Sequence, residues 1–271
     1  MTAAATLPIA TGQAPSVSGD LAANVATAVE LARSAATQGA RLLVLPEAFL
    51  VGYAPDAFAA LPRPGVLVHA ATPLAEAARD LGITVVVGAA VRRPQGNRLT
   101  LLVASPDGSI DLPYDKQHLD SEEKNHFTLG DHGTVIEVDG HRLGLSICYD
   151  GCFPEHARRY AEAGVLAYLN AAAWFVGGEH RRDLHAASRA LENGFYTVFS
   201  GLTGRCGPYD FSGGSGVHDP EGRTVVQMGT ETGVVVADLD PALVVGTRSR
   251  HTMVADHRDM IGPGLGEMVI A

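Results

Sequence analysis

Lysine is almost missing from this chain: of 20 basic residues only Lys116 and Lys124 are lysines. Arginine serves wherever charge alone is needed, so a lysine that persists marks a place for a compact ammonium rather than a larger, more firmly protonated guanidinium. Lys124, in the solvated stretch SEEKN, reads as chance retention. Cysteine is nearly as scarce, and Cys148, Cys152 and Cys206 form no evident disulfide framework. The CxxxC at Cys148 and Cys152 has no second pair, which argues against structural zinc. No HExxH occurs and His180 and His185 do not share a helix face, so the eleven histidines read as solvated or packing groups. No metal and no cofactor are expected. A basic stripe is also lacking: the net charge is −10 and the arginines are scattered, which argues against a nucleic-acid partner. The longest nearly apolar run, Val165 to Val176, contains Asn170 and is too short to cross a bilayer. MTAAATLPIA has neither the charged n-region nor the h-region of a signal peptide. These absences together predict a soluble cytoplasmic protein with no membrane partner.

What is present is a large apolar fraction, 46% of 271 residues, enough to bury a sizeable core. No linker divides the chain, so residues 1–271 read as one domain. The most telling stretch is His141–Glu155, HRLGLSICYDGCFPE. Its apolar run from Leu143 to Ile147 reads as a buried strand that ends on Cys148, and Pro154-Glu155 then opens a helix. A thiol between a strand end and a helix start faces a cleft.

A first strand is expected over Leu7–Gln13 and a helix from Asp20, its N-cap, to Thr37. RLLVLPEAF gives a short strand, Leu42–Leu45, ending on Pro46-Glu47; an acid inside an apolar run is an odd choice for solvent alone. Val51–His69 has no clear period and reads as a long loop walling a pocket. A helix over Pro73–Asp80 precedes strands at Ile83–Val91, Leu99–Ala104 and Ser109–Tyr114, and the charged stretch Tyr114–Gly133 reads as irregular. After a hairpin, Thr134–Val138 with Arg142–Ile147, come a helix Pro154–Ala163, a strand Val165–Asn170, a helix Glu179–Asn193 stopped by Gly194, and a strand Phe195–Ser200. Gly201–Pro208 reads as a loop and Phe211–His218 as a Gly-rich strand, with closing strands Thr224–Met228 and Val234–Leu239. The tail, 241–271, has little period and is expected to dock on the surface or on a partner subunit. Two mixed sheets covered by helices fit this order better than a barrel does.

Glu47, Lys116, Cys148 and one of Glu122 or Glu123 form a set sufficient for acyl transfer through a thioester. A free thiol, with a pKa of about 8.5, is little ionised at neutral pH and gains from a base. Glu47 suits that base. Lys116 and the backbone N–H of Tyr149 suit the stabilisation of an oxyanion.

On these segments the chain resembles the nitrilase superfamily of carbon–nitrogen hydrolases over nearly its whole length. VLPEAF is similar to the segment of the family's general-base glutamate, YDKQHL to that of its catalytic lysine and ICYDGCFPE to that of its nucleophile, which implies Glu47, Lys116 and Cys148. A second family glutamate often lies seven residues before a glycine, which Glu123 and Gly130 match, implying Glu123. RALENGFYTVF and FSGGSGVHDPEGR resemble later, mainly structural segments. The resemblance implies a four-layer α-β-β-α sandwich, a homodimer or higher homo-oligomer, and a small-molecule amide as substrate, hydrolysed to acid and ammonia. Tyr53, Trp174 and Phe175 are the candidate pocket residues. Nitrile-cleaving members usually carry Trp after the nucleophile, where this chain has Tyr149-Asp150; carbamoylases often carry Arg just beyond, where it has Gly151 and Cys152. Both alternatives are thereby disfavoured, the second unless Arg205 or another cation substitutes.

Two further readings compete. SGGSG at Ser212–Gly216 resembles the loop of amidases that use two serines and a lysine, but the rest of that signature is missing. A binding or scaffold member without catalysis is the other, against which the intact Glu, Lys and Cys argue.

Overall fold

The computed structural model describes residues 5–258. Along the chain run β1 (Leu7–Gln13), α1 (Leu21–Thr37), β2 (Leu42–Val44), α2 (Pro55–Ala59), α3 (Pro64–Ala70), α4 (Thr72–Leu81), β3 (Thr84–Arg93), β4 (Gly96–Ala104) and β5 (Ile110–Asp115). A second half follows with β6 (Val135–Val138), β7 (His141–Ile147), α5 (Pro154–Glu162), β8 (Ala167–Ala172), α6 (Glu179–Asn193) and β9 (Tyr196–Gly201). It closes with β10 (Thr203–Cys206), β11 (Tyr209–Ser212), β12 (Gly216–His218), β13 (Thr224–Gln227), β14 (Gly233–Leu239) and α7 (Pro241–Arg250).

Two six-stranded mixed sheets result, ordered β14-β1-β2-β3-β4-β5 and β13-β12-β9-β8-β7-β6. Alternate side chains of each strand serve different layers, as the two-residue period of a strand demands. On β2, Leu42 and Val44 pack between the sheets against Leu145, Ile147 and Val198, while Leu43 joins Val25, Ala28 and Leu74 beneath the helices. On β8, Leu169 faces the other sheet while Tyr168 packs with Tyr160 and Phe195 on the outer side. The layers are therefore helix, sheet, sheet, helix, the expected α-β-β-α sandwich. Hydroxyls tie the sheets together: Thr11 Oγ1 donates to Phe199 O at 2.7 Å and Ser200 Oγ to Gly12 O at 2.7 Å.

Three expectations are corrected. Val51–His69 is not one loop but holds α2 and most of α3, each with proline in its first turn; helices of 5 and 7 residues are too short to display a 3.6-residue period. Gly201–Pro208 and Phe211–His218, read as a loop and one strand, are a separate hairpin of β10 and β11 followed by β12. The break falls at Gly213 and Gly214, both with positive φ, and a Cβ at Gly214 would lie 2.2 Å from the Arg182 guanidinium carbon. The tail, read as having little period, begins with the helix α7, which lies on the surface of this same chain, one of the two places expected for it: Arg248 Nε donates to Asn193 O and Gly194 O, and Val244 is buried. The rest of the expected tail, 259–271, lies outside the described residues. Among the described residues no helix is long and apolar enough to cross a membrane.

Candidate active site

Strand ends build the site. The chain leaves β2 through Pro46-Glu47 and turns sharply at Ala48, which takes φ 49°. This turn is stitched to β3 at a single residue, since Gly88 N donates to Pro46 O at 2.9 Å and Gly88 O accepts from Leu50 N at 3.0 Å. Gly88 has to be glycine, because a Cβ there would sit 2.2 Å from Pro46 O and 2.5 Å from Glu47 Cα. Lys116 follows the end of β5 and is held by its own backbone, its N–H donating to Leu99 O at 2.8 Å and its carbonyl accepting from Gly130 N at 2.7 Å. Gly130 passes so close to Asp115 O that a Cβ would meet it at 2.2 Å. That contact gives the glycine seven residues after Glu123 a physical reason.

Cys148 follows β7 and opens a 3-10 turn, Cys148–Cys152. Its φ is 44°, a left-handed value that costs a non-glycine residue about 1–3 kcal/mol and persists only where neighbours over-determine it. Those neighbours are identifiable. Asn170 Nδ2 donates to Cys148 O at 3.3 Å, Arg189 Nε to Gly151 O at 2.9 Å, and the Asp150 carboxylate accepts from Ile147 N at 3.0 Å.

At the centre, Lys116 Nζ donates to Glu47 Oε1 at 2.6 Å and to Glu123 Oε1 and Oε2 at 2.6 and 2.8 Å. All three side chains are at most 2% exposed. Glu123 is itself gripped, by Tyr53 OH at 2.8 Å and by the Asp120 N–H at 3.0 Å. Glu47 Oε2 is buried without a hydrogen-bond partner. Cys148, half-buried, lies near enough to Glu47 for each to shift the other's titration.

Two carboxyls and a thiol around one ammonium set the proton affinities. Burial pushes the Glu47 carboxyl up to about 8, with Lys116 pulling it down and Glu123 adding to the rise. For Lys116 burial alone favours the neutral amine, but Glu47 and then Glu123 outweigh it and hold the ammonium well above its ordinary range. Burial and the Glu47 charge raise the Cys148 thiol well above its usual value, against the pull of Lys116. Tyr53 stays a phenol, since burial and the Glu47 and Glu123 charges oppose its ionisation. Lys116 thus keeps its protons, and Glu47 is the group able to take one near neutral pH.

The structure therefore brings Glu47, Lys116, Glu123 and Cys148 to one place and leaves Glu122 exposed outside it, bonded to Tyr209 OH at 3.2 Å. Lys124 is exposed. Trp174 is half-buried and lines a pocket with Cys148, Cys152, Asn170, Arg182 and Arg189. Phe175 is stacked on Phe211 with ring centroids 5.3 Å apart, and Tyr53 packs edge-on to both. Arg205 is exposed and bonds within its own hairpin, to Gly207 O. Tyr149 is the second residue of the 3-10 turn, its ring set edge-on against Phe153. Sequence reasoning missed Asp150 as a structural hub, the aromatic wall of Tyr209 and Phe211, and the Asn170 and Arg189 clamps. Only for Asp150 was there a signal, its place two residues after the thiol.

The family described as carbon-nitrogen hydrolase matches residues 8–249. The chain belongs to that family. The hydrolase is similar to an (R)-stereoselective amidase of a Pseudomonas species, 34% identical over 230 residues that cover 81% of this chain and 80% of the relative. It is also similar to the human omega-amidase, 32% identical over 232 residues covering 80% and 83%. Among solved structures it resembles an amidase from Nesterenkonia sp. AN1. A double mutant of that enzyme in complex with acrylamide superposes with a TM-score of 0.83 at 29% identity, covering 93% of this chain and 94% of that one. A single mutant, with the acetamide moiety of fluoroacetamide added covalently at its active-site cysteine, gives 0.83 at 30% identity over 94% and 95%.

Proposed function

We propose that the hydrolase is a thiol amidase that converts a small carboxamide to the carboxylic acid and ammonia, with Cys148 as nucleophile. The observation that carries this reading is the buried Glu47–Lys116–Glu123 array beside a half-buried thiol on a strained turn. Cys148 Sγ attacks the amide carbon as Glu47 takes the thiol proton. The oxyanion forms against Lys116 Nζ and the Tyr149 backbone N–H. Collapse breaks the C–N bond, Glu47 returns the proton to the leaving nitrogen, and ammonia departs from a thioester. Water, deprotonated by Glu47, then attacks, and the thiol is regenerated as the acid leaves. Glu123 touches neither proton in this scheme. It holds Lys116 in place, and Tyr53 holds Glu123.

The test is an ammonia-release screen over short aliphatic, ω-dicarboxylic and aromatic amides with hydroxylamine present. A thioester partitions to the hydroxamate, so accepted amides should yield it; complete absence of hydroxamate with every accepted amide would overturn the route. Ammonia release from none of a broad amide and nitrile panel by folded protein would favour a binding subunit. The pH profile is a second expected result. Glu47 must be ionised in the free enzyme to act as base, and its carboxyl is pushed up to about 8. Below that pH, kcat/KM should fall about tenfold per unit; a flat profile from pH 6 to 9 would overturn a base raised to that value.

The same reading includes a cytoplasmic homo-oligomer. Three free thiols suit a reducing compartment. Exposed Leu184 and Leu191, two turns apart on α6, and Val245 on α7 suit association.

A further inference from the structure

We propose that Asp150 is a positioning residue that locks the Lys116 segment to the Cys148 turn and so sets the distance between Lys116 and Glu47. The inference rests on the roles given above to Glu47, Lys116 and Cys148.

Asp150 is fully buried, and its carboxylate accepts five hydrogen bonds that come from two sides. Oδ1 takes the backbone N–H of Gln117 at 3.2 Å, the N–H of His118 at 2.9 Å and His118 Nδ1 at 2.9 Å. Oδ2 takes Ile147 N at 3.0 Å and Tyr114 OH at 2.6 Å. Every donor on one side flanks Lys116 within two residues, and Ile147 immediately precedes the strained Cys148. One side chain therefore fixes both reacting segments in a common frame. Burial opposes its charge, but the bond from His118 first, then that from Tyr114 and the charge of Lys116, keep the carboxyl below the usual range. The outer groups are fixed in turn, with Tyr114 OH 3.0 Å from His156 Nε2 and His156 Nδ1 2.8 Å from Tyr168 OH. Burial pushes His156 down to about 4, so it faces Asp150 as a neutral ring at working pH.

Asparagine at this position keeps the shape but has one acceptor oxygen, and its NH₂ meets donors that need an acceptor. With the frame loosened, Lys116 Nζ moves off Glu47. The titratable groups facing Glu47 are Lys116, Glu123, Cys148 and Tyr53, and of these Lys116 is the one cation. Its withdrawal raises the Glu47 carboxyl further, so the acidic limb of the pH–rate profile moves to higher pH.

The experiment compares wild type, Asp150→Asn, His118→Phe and Tyr160→Phe. His118→Phe keeps a ring stacked on Phe153, now 3.9 Å away, and removes one bond to Asp150 from a partly exposed side chain. Tyr160→Phe removes a buried bond donated to Leu145 O and a partly buried one accepted from Thr134 N, neither of them made to residues 114–118 or 147–152. Asp150→Asn should lower kcat by about 10²-fold, as a reacting group displaced by about 1 Å does, and move the acidic limb up by about one pH unit. His118→Phe should move it the same way by less. Tyr160→Phe should lower Tm and leave the limb in place. The limb is read both from kcat/KM and from the pH dependence of Cys148 alkylation by iodoacetamide, which needs no turnover. Failure of the amidase reading, no ammonia released, thus remains distinct from failure of this one. If His118→Phe leaves the limb unmoved, and Asp150→Asn either does the same or fails to fold, Asp150 is a fold residue only and the inference is overturned.

Discussion

Cys148→Ala should abolish turnover, by about 10⁵-fold or more, as removal of a nucleophile does elsewhere, while Cys152→Ala keeps activity within about tenfold of wild type. Both thiols line the same cavity, so proximity to it does not separate them. What separates them is the neighbourhood. Cys148 sits at the strained first position of the turn, coupled to Glu47 and Lys116. Cys152 ends the turn, and after burial the charges that act on it are first those of Arg181 and Arg189. The measurement is steady-state ammonia release with circular dichroism as the control for folding. If Cys152→Ala were the dead variant and Cys148→Ala the active one, the assignment of the nucleophile would be wrong.

Lys116→Met should lose turnover by a comparable factor and lose stability as well. Methionine removes the one ammonium between two carboxyls that are at most 2% exposed. Breaking a buried pair in this way costs about 3–5 kcal/mol, because the remaining charge has to be neutralised or stay unpaired. The double variant Lys116→Met/Glu123→Gln, which leaves one carboxyl to take a proton, should recover part of that stability and none of the activity. Urea midpoints measured beside kcat/KM decide the matter. A Lys116→Met protein with undiminished turnover would remove Lys116 from the oxyanion site; one with no loss of stability would mean that the array is not charged as described.

The reach of sequence reasoning can be judged residue by residue. β1 and α6 stand where they were expected, Leu7–Gln13 and Glu179–Asn193, because their signals are local: an apolar run, and a helical stretch ended by Gly194 in the left-handed conformation. Strand β8 lies two residues later than its expected span, since an almost uniformly apolar run gives no alternation from which to read a boundary. The hairpin of β10 and β11 escaped notice for a different reason. Its stability comes from Cys206 and Phe211 packing into the core and from Phe211 pairing with Phe175, partners distant in the chain.

The sequence by itself determined the inventory of candidate reactive groups. A lysine spared where arginine is the rule, an acid in an apolar run and a thiol at a strand end are visible without coordinates, because each is improbable for its own local surroundings. Tertiary structure alone decided what these groups do to one another. It put Lys116 Nζ 2.6 Å from both Glu47 and Glu123, left Glu122 outside, and made Asp150 the tie between two segments 30 residues apart. The physical reason is that proton affinity and hydrogen bonding depend on distance and burial, which two packed sheets impose on residues that the chain keeps far apart.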